Sequence, residues 1–134
     1  MGRKTSIFIT ILAAAIAIAS SYYYIMLYTP NHTVSKVLDA SIQGESIQEL
    51  DATNNAVLES FWSSVNETTR FKYSIKRVEA GWKKREFLVY IEKINYNQEN
   101  NVTGIIHGSL YFKLSRSFIN NWTITDIRVT EQLT

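Results

Sequence analysis

Between Ile7 and Tyr28 the chain runs for 22 residues without an Asp, Glu, Lys, Arg or His. At ~1.5 Å per residue a helix of that length measures roughly 33 Å, enough to cross a hydrocarbon core of ~30 Å. Arg3 and Lys4 precede the run, and the next basic residue is Lys36. The positive-inside rule therefore places the amino terminus in the cytoplasm and everything after the run outside it. Tyr22, Tyr23, Tyr24 and Tyr28 cluster at the far end, where an aromatic belt belongs. The expected organisation is a cytoplasmic segment 1–6, a single-pass signal-anchor 7–28 in the cytoplasmic membrane, a linker 29–33 and an extracytoplasmic domain 34–134. A cleaved signal peptide is the alternative. Its parts are a basic start, the apolar stretch Ile7 to Ile18, and Ala17-Ile18-Ala19 before Ser20 as a cleavage site, which would release a secreted domain.

After the run, about 105 residues remain, enough for one compact domain and not two. With Arg3 and Lys4 set aside, 12 basic residues there balance 12 acidic ones, so no global charge points to nucleic acid. The absence of cysteine excludes disulfides, thiolate metal sites and a lipid-modified cysteine. The domain must rest on its apolar core. Four N-x-[ST] sequons, at Asn31, Asn66, Asn101 and Asn121, are acceptors if the compartment glycosylates.

Thr29-Pro30-Asn31 reads as an exit from the membrane helix, because proline lacks an amide and clashes with the preceding turn. Val34, Val37, Leu38, Ser41 and Ile42 then share one face of a first amphipathic helix, with Thr33 as N-cap and Gly44 as terminator. Ser46-x-x-Glu49 has the form of a capping box, opening a second helix whose apolar face runs from Ile47 to Val65. After Thr69 the period changes from 3.6 to 2. Phe71, Tyr73 and Ile75 alternate with Lys72, Ser74 and Lys76, and Phe87, Val89 and Ile91 alternate with Leu88, Tyr90 and Glu92. Ala80-Gly81-Trp82-Lys83 is a turn, residues 95–101 a polar loop, Gly104 to Leu114 a third strand and residues 115–121 a turn. In the last strand Trp122 and Ile124 have one parity and Ile127 and Val129 the other. A bulge near Thr125-Asp126 brings all four to the core side. The fold class expected is α+β: two helices packed on one face of a four-stranded antiparallel meander.

The stretch TPNHTVSKVLDASIQGESIQEL resembles the opening of membrane- or envelope-associated members of the nuclear transport factor 2-like (cystatin-like cone) superfamily. Pro30, Val34, Leu38, Ala40, Gly44 and Glu45 occupy the places of its pattern. The ending NWTITDIRV is similar to the closing strand of those domains, through Trp122, Ile124, Asp126, Ile127 and Val129. The resemblance implies a curved sheet wrapped round the helices into a cone, with a pocket between them. Soluble relatives include ketosteroid isomerase-like enzymes. Membrane-anchored relatives include scaffold subunits of secretion and conjugation machines and accessory proteins of lipid transporters. The enzymes need an inward acid or base with an oxyanion-stabilising donor. No such set matches here, so no catalytic role is carried over.

The residues themselves offer little chemistry. No His/Asp/Glu spacing forms a closed metal site, glycine is too sparse for a phosphate cradle, and no serine sits in a nucleophile elbow. No cofactor is expected. Trp62, Tyr73, Tyr90, His107, Tyr111 and Trp122 could line a cavity for an apolar ligand, with His107 as its base or switch. The plainer reading makes the aromatics core filler and His107 a hydrogen-bonded structural residue, with Asp126 either its partner or a polar residue beside the bulge. Trp82, Lys83, Lys84 and Arg85 form a basic hairpin tip suited to a protein partner or to anionic headgroups; as a plain surface feature, the charges merely solvate the turn. Residues 36–67 hold six acids and one Lys, whereas residues 70–93 hold eight bases and three acids. In one domain these halves can pair, helix against sheet.

Three functional classes emerge. The first is a non-catalytic, tethered binding or assembly domain of the cell envelope, docking another envelope protein through the Trp82 hairpin and the sheet face. The second is a pilin-like filament subunit, against which stand the poor peptidase site at Gly2-Arg3-Lys4 and the helix breaks expected at Pro30 and Gly44. The third is an enzyme or small-ligand binder using the cone pocket.

Overall fold

A computed structural model describes residues 2–63 and 69–134. The order is α1 (Gly2–Tyr23), a π-helical turn (Tyr24–Tyr28), α2 (Thr29–Ile42), α3 (Ala52–Phe61), β1 (Thr69–Ala80), β2 (Lys84–Tyr96), β3 (Val102–Phe118) and β4 (Asn121–Glu131). Among the described residues the strands form one open antiparallel sheet in the order β1-β2-β3-β4. The fold is α+β, as the periodicity predicts.

Helix α1 has no buried residue, and it continues without interruption through the π-helical turn into α2, so that one helix of 41 residues runs from Gly2 to Ile42. Its first half is long and apolar enough to cross a membrane, a property that a signal sequence shares. The linker expected at 29–33 does not exist. Pro30 is the second residue of α2, but because the helix is continuous its missing amide is a missing helix donor. The turn before it has shifted to i→i+5 bonding: the Thr29 amide and its hydroxyl (2.8 Å) both donate to the Tyr24 carbonyl. Thr29 is thus spent and Pro30 has no amide, so the Ile25 carbonyl loses both backbone donors that could reach it. Trp122 Nε1 in β4 donates to that carbonyl at 2.8 Å. The core also begins earlier than expected, since Met26 is buried. The apolar segment outside the domain therefore ends near Tyr24. All described residues up to Ala19, those that cleavage there would remove, are exposed.

Val34, Val37, Leu38 and Ser41 are buried, as their spacing predicts. Thr33 caps nothing in an unbroken helix; its hydroxyl back-bonds to the Thr29 carbonyl at 2.9 Å. Gly44, at φ +76°, ends α2 in a left-handed conformation. The Glu45 amide reaches the Ala40 carbonyl at 3.0 Å and the Gly44 amide the Ser41 carbonyl at 3.1 Å, a Schellman closure.

Helix α3 starts six residues after Ser46. Its N-cap is Asp51, whose carboxylate accepts the Asn54 amide at 2.7 Å, and the Ser46–Glu49 box is unused. Ile47 and Leu50 are buried from the connection and not from a helix face. Asn55 makes this conformation stable. Its side-chain amide donates to the Ile47 and Leu50 carbonyls at 3.0 and 3.2 Å, and its oxygen accepts the Ile47 amide at 3.3 Å. Asn54 is buried and accepts the Ile127 amide at 2.9 Å. The part of the expected helix at Val65 lies outside the described residues.

The expected bulge is present. Lys113 faces Asp126 and Leu114 faces Ile124, leaving Thr125 without an opposite residue. Trp122, Ile124 and Ile127 consequently share the buried face with Phe87, Val89, Ile91, Leu110, Phe112 and Leu114. This inner face receives α2 and α3. At about 1.5–3 kcal/mol per fully buried large apolar side chain, it is the main source of stability. β3 runs on through Phe118, beyond the Leu114 limit expected, because β4 pairs with it as far as Phe118–Asn121.

Candidate functional site

Strand alternation separates the six residues expected to line one pocket. Trp62, Tyr73 and Trp122 belong to the inner side. The Trp62 indole packs edge-on against Phe71 at 4.8 Å and donates to Ser41 Oγ at 2.9 Å. The Tyr73 hydroxyl donates to Asp39 at 2.8 Å, and burial together with that carboxylate raises its pKa above the usual phenol value. Tyr90, His107 and Tyr111 point to the opposite, outer face. Tyr90 is exposed and sits between Ser74 and Ser109. The His107 side chain is 61% exposed, with Nδ1 3.9 Å from Glu92. It does not line a pocket with the inner-side aromatics, and Glu92 is the charged partner within its reach. It also has no bond to Asp126, which pairs with Arg128 at 2.9 Å. The Tyr111 hydroxyl donates to Glu86, which pushes its pKa up to about 12. The outer face is thus a ladder of polar and aromatic cross-strand pairs. Among the described residues no three His, Asp or Glu side chains converge as a metal ion would require.

The second group expected from the sequence, Trp82 to Arg85, is divided in the same way. Trp82, Lys83 and Lys84 are exposed, but Arg85 is 2% exposed. β2 begins at Lys84, so Arg85 has the inward parity of Phe87 and Val89 and cannot join an exposed tip. Its Nε and Nη1 have no hydrogen-bond partner among the described residues, and its guanidinium lies 5.8 Å from the Trp122 ring centre. Burial lowers its pKa from the usual guanidinium range, and the charges of Arg77 and Arg116 add to that.

The Trp82 turn depends on Gly81, where a Cβ would lie 2.9 Å from the Lys84 carbonyl oxygen. The Arg116 amide donates to the Lys83 carbonyl at 2.8 Å, fixing the β1–β2 turn beside the end of β3. The Arg116 guanidinium stands 5.7 Å from the Trp82 ring centre and 5.8 Å from that of Trp122. Trp82 meets Tyr22 edge-on at 5.9 Å, within the apolar helix. The β3–β4 turn follows directly, with Phe118 76% and Ile119 73% exposed. Sequence reasoning missed these two. Their signal was a pair of large apolar residues inside an otherwise polar turn.

Of the sequons, Asn31 lies exposed on the first turn of α2, Asn101 in the β2–β3 loop and Asn121 at the start of β4. Asn66 lies outside the described residues. No family model, curated protein or solved structure matches the chain.

Proposed function

We propose that the protein is a single-pass, non-catalytic binding or assembly domain of the cell envelope, of the nuclear transport factor 2-like cone type, with its amino terminus in the cytoplasm and its sheet outside. The observation that supports this best is the unbroken helix. The segment that would cross the membrane and the segment that organises the core are one continuous helix, tied to the domain by Met26 and by the Trp122–Ile25 bond. Such a joint holds the domain at a fixed height and orientation, which suits the presentation of a surface to a partner and adds nothing to a soluble binder. Arg3 and Lys4, with no further base before Lys36, support the orientation. With the Trp82 hairpin turned towards the membrane, the outer sheet face carries the partner contact. In-cell crosslinking followed by mass spectrometry tests this reading. An intact amino terminus with crosslinks from Lys72 and Lys76, on the outer face of β1, to a defined envelope protein is the expected result. A terminus at Ser20 with no crosslinked neighbour would refute it.

The same continuity favours a second reading, the pilin-like subunit, because Pro30 does not break the helix. That reading requires trimming near Lys4 and polymers in membrane extracts. A monomer with its full amino terminus removes it.

A further inference from the structure

We propose that the β1–β2 and β3–β4 turns dip into the membrane leaflet from which the helix emerges, and that they prefer anionic phospholipid there. This rests on the reading that residues 7–24 cross a membrane. The placement comes from two contacts. Trp82 touches Tyr22, a residue of the apolar run, and Trp122, close to the β3–β4 turn, is bonded to Ile25 at its end. From the Arg116–Lys83 bond, β3 continues by two residues to Phe118. At ~3.3 Å per residue that carries Phe118 and Ile119 roughly 6–10 Å beyond the bond. The turns therefore lie level with the last residues of the span, where the headgroups stand.

The chemistry agrees. Trp82 is 66% exposed, and with Phe118 and Ile119 it offers three large apolar side chains on two adjacent turns. A single exposed apolar residue means nothing, whereas a group of them beside a membrane segment does. Residues 81–84 and 115–121 hold three bases, Lys83, Lys84 and Arg116, and no acid. Apolar tips flanked by cations match acyl chains beneath phosphates. The loop at the other end of the β2–β3 hairpin, 97–101, is Asn-Gln-Glu-Asn-Asn and offers neither. Continuity with the span favours lipid over a protein partner as the occupant. A protein would have to wedge between the domain and its own anchor.

The chain has no native cysteine, so single-cysteine variants report cleanly. Full-length protein with Phe118→Cys, Ile119→Cys, Gln98→Cys or Ala13→Cys is spin-labelled and placed, one copy per disc, in lipid nanodiscs. The discs contain phosphatidylcholine alone or phosphatidylcholine mixed with phosphatidylglycerol. Collision with oxygen and with a water-soluble nickel chelate is measured. Labels at 13, 118 and 119 are expected in lipid and the label at 98 in water. In the mixed discs, replacing Lys83, Lys84 and Arg116 by Gln is expected to lower the immersed fraction of the 118 and 119 labels. The immersed-to-free ratio should fall on the order of fivefold per charge removed, whereas discs of phosphatidylcholine alone should show no such dependence. If 13 is in lipid but 118 and 119 are in water, the inference falls and the span stands. If 13 itself is in water, the span reading falls. Immersion of 118 and 119 that is equal in both lipids and indifferent to the three charges overturns the anionic preference.

Discussion

The two halves of the long helix share one backbone and live in different surroundings. From Gly2 to Tyr23 no side chain is buried, and from Ile7 onward the helix carries no charge on any side. From Thr29 to Ile42 the helix has one buried stripe, Pro30, Val34, Val37, Leu38 and Ser41, and a largely polar remainder. The first pattern suits a solvent without water, where each side of a helix is equivalent. The second suits a domain surface. Between them stand five residues of π-helix, a proline and an indole from another part of the chain. The lesson is that the boundary between an exposed apolar segment and a packed domain need not be a break in the chain. Here it is a local change of hydrogen-bond register, with the orphaned carbonyl capped by a side chain.

The contrast breaks most sharply at Leu38, which is fully buried. Leu38→Ala removes a large side chain from between α2 and the sheet and should destabilise the domain by about 2–5 kcal/mol. The same truncation in the first half, Leu12→Ala, should leave domain unfolding within about 0.5 kcal/mol of the parent. Urea unfolding in mild detergent, followed by tryptophan fluorescence, measures both. Equal losses at the two positions would mean that the halves are not in different surroundings.

This division was legible in part. The uncharged run announces the first half, and the spacing from Val34 to Ser41 announces the second. The strands are legible because alternation leaves a period of 2, and even the bulge at Thr125 follows from the mismatched parity of Trp122 and Ile127. Pro30 misleads because its effect is set by a partner 97 residues from Ile25. No local rule contains that bond. The start of α3 misleads for a different reason: Ile47 and Leu50 have helical spacing with Val57, Leu58 and Phe61, but Asp51 and not Ser46 caps the helix, and Asn55 holds the connection in another conformation. At the candidate sites, parity alone already set Tyr90, His107 and Tyr111 apart from Tyr73. Arg85 shows parity prevailing over charge. The contacts of Trp82 with Tyr22 and of Trp122 with Ile25 were out of reach, since they depend on where the whole sheet sits against the helix.

A smaller effect sharpens the comparison at the joint itself. Trp122→Phe keeps an aromatic ring on the inner face and removes the donor to Ile25. It leaves a carbonyl unsatisfied where the chain has no other amide to offer, at a cost of about 1–3 kcal/mol. Local exchange should rise first around Ile25 and Met26, and hydrogen exchange in detergent reads this directly. Unchanged protection there would show that the joint holds by packing alone.

The smallest expected effect is the most discriminating. Pro30→Ala supplies the amide that the native helix lacks. In the native background the new amide competes with Trp122 for one carbonyl, so the substitution should change stability by less than about 1 kcal/mol. In the Trp122→Phe background the same amide has a vacant acceptor, and Pro30→Ala should recover about 1 kcal/mol of the loss. The two substitutions are then coupled although they are far apart in sequence. Simple additivity would break the account of the joint, because it would mean that the Ile25 carbonyl is not the atom through which the proline and the indole are linked.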